Sequence, residues 1–275
     1  MIIDTHHHFW RYNVAEYGWI SKGMKKIRRD FMPADLKKTI DRAGVKAVIS
    51  IQARQNLEET DWLLSLSSVN DFIYGIVGWL PLTDPDIEAI LERYSENKNL
   101  KGIRHILQDE PDPNYMLRGD FNRGIRLLSG FNLIYEILIC ERHLPQAIIF
   151  VDKHPNQLFV LDHIAKPLIR KNVLSPWKEN LAELARRENV SCKISGLVTE
   201  ADYHHWDEHQ LRPYLEIVLD SFGPSRLMFG SDWPVCLLAC SYGQWVEIIH
   251  RFIASLSPVE QKQIWENNAR NVYNL

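Results

Sequence analysis

The feature that most narrows the fold is a rhythm. Short apolar runs, mostly β-branched, recur along the 275 residues with helical patterns between them. Eight such runs read as strands, near residues 2–8, 47–53, 72–80, 101–107, 132–139, 158–164, 190–196 and 226–233. Several are apolar almost throughout, as strands covered on both faces of a parallel sheet must be. Between them, Pro33 near a first helical position and Gly44 after the last turn frame one helix. Asp84 before Pro85 and Ser175 before Pro176 mark the starts of two more, and Ser257 with Glu260 forms a capping box. The alternation predicts a single (β/α)8 barrel over residues 1–275. The competing open, doubly wound sheet often carries a glycine-rich phosphate loop, and neither GxGxxG nor GxxxxGK[ST] occurs.

Composition removes several classes of function. The net charge is −3 and no basic stripe marks a nucleic-acid face. No apolar run reaches membrane-spanning length, and the N-terminus lacks the layout of a signal peptide. Cys140, Cys192, Cys236 and Cys240 are scattered with no CxxC pair, which predicts reduced thiols in a cytoplasmic protein. The oligomeric state is not legible, and a homo-oligomer is compatible with the aromatic content.

Chemistry concentrates where the apolar runs end. The opening MIIDTHHHFW holds His6, His7 and His8, a triplet too short and too directly joined to Phe9 and Trp10 for an affinity tag. Alternation along a strand sends His6 and His8 to one side and His7 to the other, where it packs. Other strand ends supply Gln52, Arg104 with His105, Asp162 with His163, and Ser231, Asp232 and Trp233. In a barrel these ends gather at the active-site face. Glu136, inside an apolar run, reads as a buried and paired group.

Taken in order, IDTHHHFW, SIQA, GIRHILQ, VLDHIAKP, KISGL and MFGSDWPV resemble the amidohydrolase superfamily, in its amidohydrolase-2 branch of small-molecule lactonases. The likeness is nearest to sugar-lactone hydrolases of the L-fuconolactonase and L-rhamnonolactonase type. It implies a distorted (β/α)8 barrel and a water whose proton goes to Asp232. It maps His6, His8 and His163, with Asp232, onto positions that hold a divalent metal in many relatives, and Arg104 onto a substrate contact. The chain departs from the fully metal-dependent pattern: strand 4 offers Arg104 and His105 in place of a lysine or glutamate, and strand 5 offers only Glu136 in place of a histidine. One Zn²⁺ is within reach of these ligands. Chemistry without a metal, in which Arg104 and the histidines act as fixed oxyanion donors, is equally open.

The expected activity is therefore hydrolysis of a small sugar-acid lactone. Gln52, Lys193 and the rings of Trp10, Trp79, Trp206 and Trp233 are candidates for binding it. Beside this reading stand two other enzymatic ones and a binding module that kept the barrel and lost its chemistry, against which the presence of Asp232 argues. A dicarboxylate lactone would need extra cations, for which Arg118, Arg123 and Lys166 are available. A metal-dependent decarboxylase would need its metal absolutely. A cluster of His204, His205 and His209 near Trp206 reads as a polar loop near the mouth, with a second metal site as its alternative.

Overall fold

The computed structural model describes residues 1–275. Its eight strands are β1 Ile2–His7, β2 Val45–Ile51, β3 Ile73–Gly78, β4 Leu100–His105, β5 Ile134–Ile137, β6 Phe159–Leu161, β7 Val190–Ile194 and β8 Leu227–Phe229. They pair in sequence order, every pair parallel. The ring closes beyond the regular strands. His8 N donates to Trp233 O at 2.7 Å, and Asp232 N donates to His6 O at 2.7 Å. The Asp4 carboxylate latches the same seam: it accepts from Ser231 N (2.8 Å), Ser231 Oγ (2.6 Å) and Tyr242 Oη (3.0 Å).

The barrel interior is layered. At its base Ile3, Ala47, Ile49, Val77, Val160 and Met228 form an apolar plug. A second, larger core lies between the strands and the outer helices. Above the plug the interior turns polar, because β4, β5 and β7 direct Arg104, Glu136 and Lys193 inward. The C-terminal segment covers the base. It starts at the expected Ser257–Glu260 capping box and runs through helices Pro258–Lys262 and Asn268–Tyr273, joined by a π-helical turn. Its Tyr273 hydroxyl reaches into the barrel and donates to Glu136 Oε1 at 2.6 Å.

Some boundaries differ from the sequence reading. The helix expected from Asp84 spans Ile87–Ser95, because Asp84 is spent on a preceding turn, accepting from Asp86 N at 2.8 Å. The helix after Ser175 begins at Trp177, and the Ser175 hydroxyl donates to Glu179 instead of capping. β6 and β8 are much shorter than expected. Their apolar runs continue into left-handed backbone, at His163 (φ 52°) after β6 and at Asp232 (φ 55°) after β8.

Candidate active site

His6 and His8 leave β1 side by side, their ring centroids 5.0 Å apart. His7 turns the other way and shares a 2.8 Å hydrogen bond with Ser50 Oγ. The hydrogen bonds of the first two rings fix where their lone pairs point. His8 Nδ1 lies 2.9 Å from Ile51 O, and a carbonyl only accepts, so Nδ1 carries the proton. Its Nε2 lone pair therefore faces Asp232 Oδ1, 3.6 Å away. His6 Nδ1 lies 3.3 Å from both Asp162 Oδ1 and Lys193 Nζ, whereas Nε2 meets the donor Arg104 Nη1 at 3.4 Å; Nε2 is therefore the unprotonated nitrogen, 3.9 Å from the same Asp232 oxygen. Three acceptor atoms, from His6, His8 and Asp232, thus converge within 4.8 Å. His6, Asp162 and His163 form a second such group.

Facing acceptors of this kind, of which His6 Nε2 is also approached by Arg104 Nη1 at 3.4 Å, are the donor set a divalent cation takes. Asp162 behind His6 is the carboxylate that orients a ligating imidazole. The residues present therefore fit a metal ion.

His163 reaches the same place by an unusual route. Residues 163–166 all have positive φ, at 52°, 50°, 60° and 47°. A left-handed turn costs about 1–2 kcal/mol per residue for L-amino acids, and Ile164 is β-branched. Burial of Ile164 and Ala165, and the 2.8 Å bond from Trp177 Nε1 to Ile164 O, offset that cost. The ring of His163 then sits against Ser195 Oγ at 2.9 Å. Gly196 makes room for it: a Cβ there would fall 2.5 Å from His163 Nδ1.

Charge states follow from burial and neighbours. Burial holds the His6 pKa well below its usual value and His163 down to about 4, although Asp162 and Asp232 oppose it, so both rings are neutral. Burial also pushes Asp232 upward, but His163, His8 and Lys166 outweigh it and hold this carboxyl below its ordinary range. Asp232 is therefore ionised. Beneath it a chain of ion pairs fills the barrel. Arg104 Nη1 donates to Asp162 Oδ2 at 3.0 Å, Lys193 Nζ lies 3.1 Å from Asp162 Oδ1, and the same ammonium lies 2.6 Å from Glu136 Oε2. Arg104 Nη2 donates to the carbonyl oxygen of Gln52.

Over this floor opens a cavity of roughly 380 Å³. His8, Arg104, His163 and Asp232 line its base. Several expected binding groups lie elsewhere. Gln52 and Lys193 are fully buried below it and hold Arg104, Asp162 and Glu136. Trp10 and Trp233 are core residues packed on Phe31. Trp79 donates to His105 and Trp206 to Ala239 O, each outside the cavity. The wall ring is Trp19, which sequence reading missed; it is 41% exposed and packs edge-on over Trp10. Lys166, Glu200 and Tyr203 stand in the polar wall beside Gln108, Asp109 and Thr199. Of the cations considered for a second carboxylate, Arg118 pairs with Asp120 on the surface and Arg123 caps the Thr83–Pro85 carbonyls. His204, His205 and His209 are exposed and do not converge; His205 bonds Asp202 at 3.1 Å.

A parallel eight-stranded barrel with imidazoles from β1 and after β6, and an aspartate after β8, defines a class. The sequence profile of the amidohydrolase family matches residues 3–275, and the chain belongs to that family. It is 39% identical to an L-fucono-1,5-lactonase of Burkholderia multivorans, an alignment covering 99% of this chain and 96% of that one. A second L-fucono-1,5-lactonase, from Burkholderia ambifaria, is 34% identical over 99% of this chain and 95% of the other. Among solved structures, an amidohydrolase from Burkholderia multivorans with bound zinc superposes with a TM-score of 0.96 at 40% identity, covering 100% of this chain and 99% of that one. The four cysteines are unpaired, and no helix is long and apolar enough to cross a membrane.

Proposed function

We propose that this chain is a lactonase that opens a small sugar-acid lactone of the L-fuconolactone or L-rhamnonolactone kind. The observation that carries the reading is the ionised Asp232 facing His6 and His8 at the base of a sugar-sized cavity, in a chain two of whose full-length relatives are L-fucono-1,5-lactonases.

Asp232 takes a proton from water as the water oxygen bonds to the lactone carbonyl carbon. His163, at the same floor, faces the oxygen on which negative charge develops, and the committed guanidinium of Arg104 adds fixed positive charge beneath it. The acyl bond to the ring oxygen then breaks, and Asp232 returns the proton to that oxygen. The ring becomes a hydroxyl and a carboxylic acid, which ionises. His6, His8 and Asp232, with His163 adjacent, would hold a divalent ion such as Zn²⁺, which supplies Lewis-acid charge beside the carbonyl. Trp19 offers an apolar face to the sugar, and Tyr203 and Glu200 offer hydrogen bonds to its hydroxyls.

The test is proton release from a panel of aldonolactones, followed with a pH indicator, on chelator-treated protein with and without added Zn²⁺ or Mn²⁺. Turnover of a 6-deoxy-sugar lactone supports the reading, and its response to metal settles whether the histidines act as ligands. Silence under every condition overturns it in favour of a dicarboxylate lactone or a decarboxylation.

A further inference from the structure

The cations near the site are not equivalent. Arg104 spends its terminal nitrogens on Asp162, His6 and Gln52. Lys193 is fully buried between Glu136 and Asp162. Lys166 alone presents an ammonium to the cavity with no hydrogen bond to the protein: the nearest carboxylate oxygen is Glu200 Oε1, at 3.9 Å. Its position is also built. The left-handed turn that delivers His163 ends at Lys166, closed by a 2.8 Å bond from Lys166 N to His163 O. Backbone held in a sparsely populated region by buried neighbours is a common mark of a functional position. The same strained turn therefore carries two side chains into one cavity.

The reaction explains why an unpaired cation belongs there. The lactone is neutral. Its carbonyl oxygen gains negative charge as water adds, and that charge persists in the product as a carboxylate. Resting on the lactonase reading, we infer that Lys166 is a catalytic residue whose ammonium donates to the acyl oxygen as charge develops and then holds the product carboxylate. The step moves no proton from Lys166, so atoms balance as in the hydrolysis itself. The inference also accounts for Glu200, whose carboxylate stands too far away to hydrogen-bond the ammonium and leaves its donors free.

The experiment uses the intact protein and the anion L-fuconate, with the neutral polyol L-fucitol as its uncharged counterpart. Calorimetry on the wild type, Lys166→Met and Lys166→Arg reads binding, and lactone assays read turnover. Lys166→Met is expected to weaken L-fuconate at least about tenfold and leave L-fucitol unchanged, with kcat/KM down by about tenfold or more. Lys166→Arg is expected to keep most of both. Unchanged L-fucitol binding certifies that the variant is folded. Should Lys166→Met bind L-fuconate within about twofold of the wild type, or the wild type prefer L-fucitol, the inference fails. A wild type that binds L-fuconate through Lys166 yet opens no lactone breaks the lactonase reading instead. Equal turnover by wild type and Lys166→Met breaks only the role of Lys166.

Discussion

Two polar layers lie one above the other in the barrel, and they are built on opposite principles. In the lower layer, donors and acceptors alternate: Tyr273, Glu136, Lys193, Asp162 and Arg104 each meet a partner of the other kind. In the upper layer, His6, His8 and Asp232 bring acceptors face to face. In the matched layer each buried charge has a partner that offsets its desolvation. The acceptors above attract whatever is positive, whether a metal ion or the proton of an incoming water. The contrast shows where structure ends and chemistry begins.

The sharpest way to break the comparison is Asp232→Asn. It removes the base and leaves the lower layer intact, so kcat is expected to fall by about 10²–10⁴ while the melting temperature hardly changes. Comparable activity in this variant would remove Asp232 from the mechanism. Lys193→Met attacks the lower layer and should do the reverse. It leaves Glu136 buried without its cation and Asp162 with Arg104 alone, for an expected loss of about 3–5 kcal/mol in urea unfolding. Adding Glu136→Gln should recover part of that loss, and no recovery would mean the ion chain is not a unit.

The wall between layer and solvent should respond more mildly. Trp19→Ala is expected to raise KM by about tenfold or less, for roughly 1 kcal/mol of lost ring contact, with kcat nearly constant. A fall in kcat alone would move Trp19 out of the binding role. The smallest effect concerns a satisfied histidine far from the cavity. His154 donates to Asn122 Oδ1 at 2.7 Å, and burial, aided by Arg126 and Lys153, holds its pKa down to about 4. The unfolded chain takes up that proton near pH ~6.5. Stability from this group is thus complete above that pH and declines as pH falls towards about 4. His154→Gln should flatten the melting-temperature profile across that window, and an unchanged slope would contradict the burial argument.

Much of this was legible in the sequence, for reasons that differ by residue. The strands show because each is an uninterrupted apolar run, and their polar ends show because Arg104, His163 and Asp232 interrupt otherwise greasy chemistry. The outward turn of His7 follows from alternation alone. The left-handed turn was hidden, since Ile164 and Ala165 carry none of the glycine or asparagine that announces positive φ. Lys166 consequently could not be placed. The tryptophans misled because ring chemistry does not distinguish a core from a wall. Trp10 and Trp233 fill the core, whereas Trp19, in a stretch with no periodicity, reaches the cavity. The insertion of Tyr273 was also unreadable, because a tyrosine in a terminal helix gives no hint of a partner 137 positions earlier.

The seam between β1 and β8 has a consequence in time as well as in space. His6 and His8 stand on one side of it and Asp232 on the other, and Asp4 meets Ser231 across 227 positions of chain. No run of strands consecutive in the chain, short of all eight, contains both His6 and His8 on one side and Asp232 on the other. During folding, an intermediate in which this seam is open keeps His6 and His8 apart from Asp232 however much native helix and sheet it holds, and the longest loop closure brings them together. Recovery of turnover after dilution from denaturant is thus a clock for that single event. Optical signals that report helix or sheet would run ahead of it.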